Sequence, residues 1–220
     1  MANPAPPPAA RIKSHWFKAG AEKTPEQQAS AVAFIAWRVA RQMLGRMRSA
    51  GFDIDPGAPY FGFMREVLVF LLVVTDRLAH DNFAPEVRRR FTTALVLRVA
   101  DFLQENEADL LGAAADTDGA GGASWAERFI DQFNALQGHY AEFGADPGAP
   151  ADGGFVPDFG FYRYLGHRIE PDLPAKDRRW VIDQVMAIEA PDAVEIMTSA
   201  MRNLHDPGER PRRRGRTTGD

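Results

Sequence analysis

Eight consecutive apolar residues, VLVFLLVV at positions 67–74, constrain this chain more than any other feature. With Phe61, Phe63, Met64 and Leu78 they place apolar side chains round most of a helical circumference, the pattern of a helix surrounded by other helices. The run stops at Thr75 and Asp76 and is preceded by Arg65 and Glu66, so it falls short of the roughly 20 residues that a membrane span requires. The expectation is a central helix over residues 59–83 in an all-α protein with no membrane span.

At about 100° per residue, Phe63, Val67, Leu71, Val74 and Leu78 share one side of that helix. The opposite arc mixes Val69 and Val73 with Arg65, Glu66, Asp76, Arg77 and His80, and valines among charges imply contact with neighbouring helices. Asp76 and His80 are four apart and share a face. Carboxylate and imidazole are common metal ligands, so Glu66, Asp76 and His80 form half of a candidate metal site between helices, with His139 and Glu142 of the fourth helix as the other half. The competing expectation is that these charges pair with each other or with the arginines of the first helix. Carboxylate-bridged bundles use Glu-x-x-His, and the chain contains none.

The remaining helices follow from capping and periodicity. Thr24-Pro25-Glu26-Gln27 is a capping box with proline at the first helical position, and it opens a helix to about residue 50. Gly51 then supplies the left-handed end, followed by Phe52. Arg38, Arg41, Arg46 and Arg48 crowd its second half, as a solvated face or as partners for Glu66 and Asp76. A third helix spans about 86–111, with Phe91, Leu95, Val99 and Phe102 inward. Arg88, Arg89 and Arg90 near its start oppose the helix dipole and need compensation, which Glu86 offers Arg90.

Ser124-Trp125-Ala126-Glu127 is a second capping box, before Phe129, Phe133, Leu136, Tyr140 and Phe143 at alternating spacings of four and three. The fold class expected is therefore all-α: a four-helix up-down bundle core with a short aromatic-rich helix and a C-terminal helix pair. In domain terms this gives a disordered leader over 1–20, one helical domain over 21–205 (core 24–144, extension 155–205) and a disordered arginine-rich tail over 206–220. The helix pair is expected over about 175–188 and 191–204, joined tightly at Glu189-Ala190-Pro191. Acidic Asp192 and Glu195 at the start of the second member oppose a DNA-reading role.

Composition narrows function by exclusion. With no cysteine there is no disulfide, thiolate zinc site or cysteine nucleophile. The N-terminus lacks the pattern of a signal peptide, which gives a cytoplasmic expectation. The net charge of -4 hides an asymmetry: Arg210, Arg212, Arg213, Arg214 and Arg216 lie in the tail, and the rest of the chain is more acidic than the whole. Nucleic acid is therefore expected, if at all, only on the tail. No phosphate loop, Gly-x-Ser-x-Gly or His-Glu-x-x-His occurs.

The functional expectation is a non-enzymatic scaffold or interaction protein working through protein contacts as a homodimer or with another protein. No cofactor is expected, and the metal site above is the alternative. Phe155, Phe159, Phe161, Tyr162 and Tyr164 form the candidate contact surface, together with the C-terminal helix pair, because aromatic burial contributes heavily both at interfaces and over a core. Their interleaving with Arg163, His167 and Arg168 also resembles a base-stacking surface, which the acidic flanks Asp158, Glu170 and Asp172 oppose.

Overall fold

A computed structural model describes residues 23–112, 123–148 and 155–205. The leader, the arginine tail and the Gly-rich parts of two loops lie outside the described residues. The protein is an all-α helical bundle. Its elements are α1 (Pro25–Ser49), α2 (Ala58–Asn82), α3 (Pro85–Leu111), α4 (Trp125–Tyr140), α5 (Phe159–Ile169), a 3₁₀ turn (Glu170–Asp172), α6 (Ala175–Gln184), a π-helical turn (Val185–Glu189) and α7 (Ala190–His205).

Helix α2 is the axis of the bundle. All eight residues from Val67 to Val74 are buried, and α1, α3, α4, α5 and α7 all pack on it. By length and composition alone α2 could cross a membrane, but 83% of its most apolar window is covered by the protein's own helices. The sequence expectation that its apolar run is too short for a span is thus corrected: what marks it as a core helix is its surroundings.

Local chemistry fixes the helix ends. Both capping boxes form, with the Gln27 amide N–H donating to Thr24 Oγ1 and the Glu127 amide N–H to Ser124 Oγ, each third residue's side chain accepting in return. Gly51 adopts φ 95°, and the Phe52 N–H reaches back to the Met47 carbonyl, closing α1 in the expected left-handed motif. Arg77 of α2 donates to the carbonyls of Tyr140 and Phe143, satisfying acceptors that the end of α4 leaves free.

The three arginines opening α3 are compensated by three different carboxylates. Arg88 pairs with Asp76 of α2, Arg89 with Glu86, and Arg90 with Glu26 of α1. The expected Glu86–Arg90 pair is replaced by an i,i+3 pair to Arg89. These contacts tie the start of α3 to α1 and α2 at once.

The C-terminal helix pair is one continuous helical rod with a π-turn in it. Continued as a regular α-helix at about 100° per residue, the faces Val181/Val185 and Val194/Met197/Met201 would lie on nearly opposite sides. The π-turn absorbs one residue, with the Ala190 N–H donating five residues back to the Val185 carbonyl, and both faces then point inward. Pro191 stands just beyond it, where it has no N–H to donate and its ring would crowd the carbonyl four residues earlier in a regular α-helix. The tight connection expected at Glu189-Ala190-Pro191 is therefore corrected to this turn.

Candidate functional site

The carboxylates of the expected metal site are taken up by arginines. Glu66 is buried and accepts from Arg168 Nε at 3.1 Å, from Arg168 Nη2, and from Gln132 Nε2 at 2.8 Å. Asp76 accepts from Arg88 and from Thr92 Oγ1 at 2.6 Å. His80 is exposed and faces Asp81 at 3.3 Å, while His139 stacks against Tyr164 with ring centroids 6.2 Å apart. Glu142 is exposed. Among the described residues no three His, Asp or Glu side chains are grouped to hold an ion, so the structure does not assemble Glu66, Asp76, His80, His139 and Glu142.

The arginines that pair with these acids are not those of α1, as expected, but Arg88 of α3 and Arg168 of α5. Arg46 of α1 pairs instead with Glu189 at 2.7 Å, and Arg48 donates to the Ile54 carbonyl at 2.7 Å.

A second layer surrounds Glu66. Arg65 pairs with the buried Glu107 of α3 at 2.9 Å. The Asp172 carboxylate lies on Gly62, and the Tyr140 hydroxyl is buried with no hydrogen-bond partner among the described residues. Burial pushes the Glu66 carboxyl above the ordinary glutamate range, opposed by the hydrogen bonds from Arg168. Burial also pushes the Tyr140 phenol well above the usual tyrosine range, and the Glu66 charge adds to it. Asp172 is pushed up to about 6 by burial and then by the nearby Glu66. Arg65 and Arg168 are thus taken by Glu107 and Glu66, and no hydrogen bond joins either arginine to Asp172.

The aromatic segment serves the core. Phe155 and Phe161 are buried, and Tyr162 and Tyr164 pack against them at half burial. Phe161 meets Phe70 at 5.6 Å and Tyr140 at 4.7 Å between centroids. Burial takes Phe155 and Phe161 out of the expected contact surface, because their rings close the bundle over α2; Tyr162 and Tyr164 stay partly exposed and Phe159 is 67% exposed.

The C-terminal rod carries a different apolar surface. Trp180 is 57% exposed and Ile188 is 46% exposed, and with Phe52 and Ala187 they line one open groove of about 460 Å³. The π-turn creates it: the same residue insertion that draws Glu189 inward against Arg46 turns Ile188 out beside Trp180. Asp177 and Asp183 rim the groove, and Arg179 lies over the Trp180 ring at 5.1 Å. The phase break between Val185 and Val194 is the sequence signal that points to this outward turn of Ile188. The chain matches no protein-family model, no curated protein and no solved structure.

Proposed function

We propose that this protein is a scaffold or interaction protein working through protein contacts, and that it self-associates as a homodimer through the Trp180 groove. The observation that carries the reading is the placement of two large exposed apolar side chains, Trp180 and Ile188, on one groove. Exposed aromatic and aliphatic residues gathered in one concavity are the usual centre of a protein contact. The rim supports a second copy as the partner. Asp177 and Asp183 line the groove and Arg179 lies over the Trp180 ring, so two antiparallel copies can set Arg179 of each against a carboxylate of the other across a two-fold axis.

Sedimentation of the full chain at tens of micromolar tests this. A dimer that Trp180→Asp converts to a folded monomer is the expected result. A wild-type monomer at that concentration, or a dimer indifferent to Trp180→Asp, overturns it.

A further inference from the structure

Helices α1 and α7 lie side by side and antiparallel, with Arg46 meeting Glu189 at one end, and between them runs a second open groove of about 660 Å³. Its floor includes Ile35, Ser199 and Ala200, and its charged lining is Asp192 and Glu195 with Arg46 at one end. Among the described residues no ion pair engages Glu195. Asp192 has only the edge of Arg46, 4.0 Å away, and Arg46 is already held by the buried Glu189. The groove thus presents two exposed carboxylates over small side chains, one helical turn apart, with their charge largely unanswered.

The chain leaves α7 at His205, whose ring is fixed against Phe83 at 4.5 Å between centroids. Fifteen further residues follow, with Arg210, Arg212, Arg213, Arg214 and Arg216 among them and only Asp206, Glu209 and Asp220 to oppose them. Pro207-Gly208 is turn-forming chemistry immediately after the helix end. Glu195 lies ten residues before His205, about 15 Å back along the helix, and Asp192 lies about 20 Å back. Counted from a reversal at Pro207-Gly208, an extended chain advancing about 3.3 Å per residue carries Arg212 about 13 Å and Arg214 about 20 Å back along the helix. The two arginines reach the two carboxylates in the same order and at nearly the same separations.

We propose that the arginine segment of the tail turns back at Pro207-Gly208 and docks in the α1/α7 groove of its own chain, with Arg212 against Glu195 and Arg214 against Asp192. Exposed ion pairs are weak and screened by salt, and docking orders the segment, so the docked form belongs to low salt and is released to a stronger polyanion. The site is separate from the Trp180 groove, so the two readings stand or fall independently.

The absence of cysteine allows a single reporter. A nitroxide on Thr217→Cys, in the full chain, separates the two arrangements. In the docked form Thr217 lies beyond the start of α7, and broadening of backbone amide signals falls on the end of α1, around Arg46 to Ser49. A free tail of 12 residues stays within about 20 Å of His205 and broadens the signals around Phe83 instead. The expected result is broadening at Arg46 to Ser49 in dilute, low-salt solution, moving to the Phe83 end in Asp192→Lys/Glu195→Lys and at high salt. Broadening centred on Phe83 in the wild type, or unchanged by the double charge reversal, overturns the proposal. So does broadening that appears only when isotope-labelled chains without nitroxide are mixed with nitroxide-labelled ones, since that places the tail on a second copy.

Discussion

The carboxylate of Asp172 rests on the Cα of Gly62, one helical turn before Glu66, in the space that a Cβ at position 62 would occupy. The 3₁₀ turn Glu170–Asp172 thereby brings a second acid beside Glu66, faced by Arg65 and Arg168 but hydrogen-bonded by neither.

That proximity gives a pH dependence with a definite sign. The Asp172 proton is held up to about pH 6 in the folded protein against an ordinary value of 3.8, so the folded state binds it more tightly than the unfolded chain. The stability it contributes is fully present below the ordinary value and is lost as pH rises through about 6. Asp172→Asn is expected to unfold later than wild type at pH 7 to 8, by about 1 kcal/mol after allowing for its half exposure, with the advantage shrinking toward pH 4. Urea titrations of both proteins across that range check it, and an equal difference at both ends sinks the account.

Two buried glycines should respond oppositely to a methyl group. At Gly166 a Cβ would stand 3.0 Å from the Ile182 Cα and 3.4 Å from its Cβ, so Gly166→Ala forces the α5 and α6 backbones apart and is expected to cost about 1–3 kcal/mol. At Gly62 the obstruction is only the carboxylate end of Asp172, which can swing into water. Gly62→Ala is expected to be neutral or to gain up to about 1 kcal/mol from helix propensity, while returning Asp172 to the ordinary aspartate range. Thermal unfolding reads the first effect, and carboxyl NMR titration the second.

Removing either partner of the Glu66–Arg168 pair is not equivalent. Arg168→Met leaves a buried carboxylate with only Gln132 and is expected to cost about 2–4 kcal/mol. Glu66→Gln leaves Arg168, about a third exposed, with water as its alternative partner, and should cost less than half as much. Denaturant midpoints of the two variants decide it; equal costs would show that the Glu66 carboxylate is not stranded in a buried site when Arg168 is removed.

Deleting Ala187 should convert the π-turn into regular α-helix. One residue fewer keeps Val181 and Val185 in phase with Ala190 and Val194, so the variant is expected to fold cooperatively while its Trp180 groove changes shape. Loss of the cooperative transition would mean that the extra residue is needed for the fold itself.

The helical class was legible because its signals are local: eight apolar residues too many for one face, two capping boxes, and a left-handed glycine after α1. The pairings were not legible. Nothing in the spacing of Glu66 or Asp76 distinguishes an arginine of α1 from Arg88 or Arg168, because which helices adjoin is a property of packing. The aromatic segment was read as outward or inward with equal chemical reason, and only the position of Phe70 and Tyr140 beneath it settled Phe161 as core. The π-turn was encoded as a phase break between two apolar faces, but a turn between two helices accounts for the same break until the backbone hydrogen bonds are seen.

The wrapping of α2 sets a problem of timing during synthesis. Two of its covers, α5 and α7, are encoded well downstream, α7 beginning more than a hundred residues after α2 ends. At about 5–20 residues per second the nascent segment therefore waits roughly 5–20 s before the last of its partners leaves the ribosome. For that interval a stretch apolar enough to enter a bilayer is only partly sheltered, which makes the nascent chain a substrate for aggregation and for chaperones that shield apolar segments.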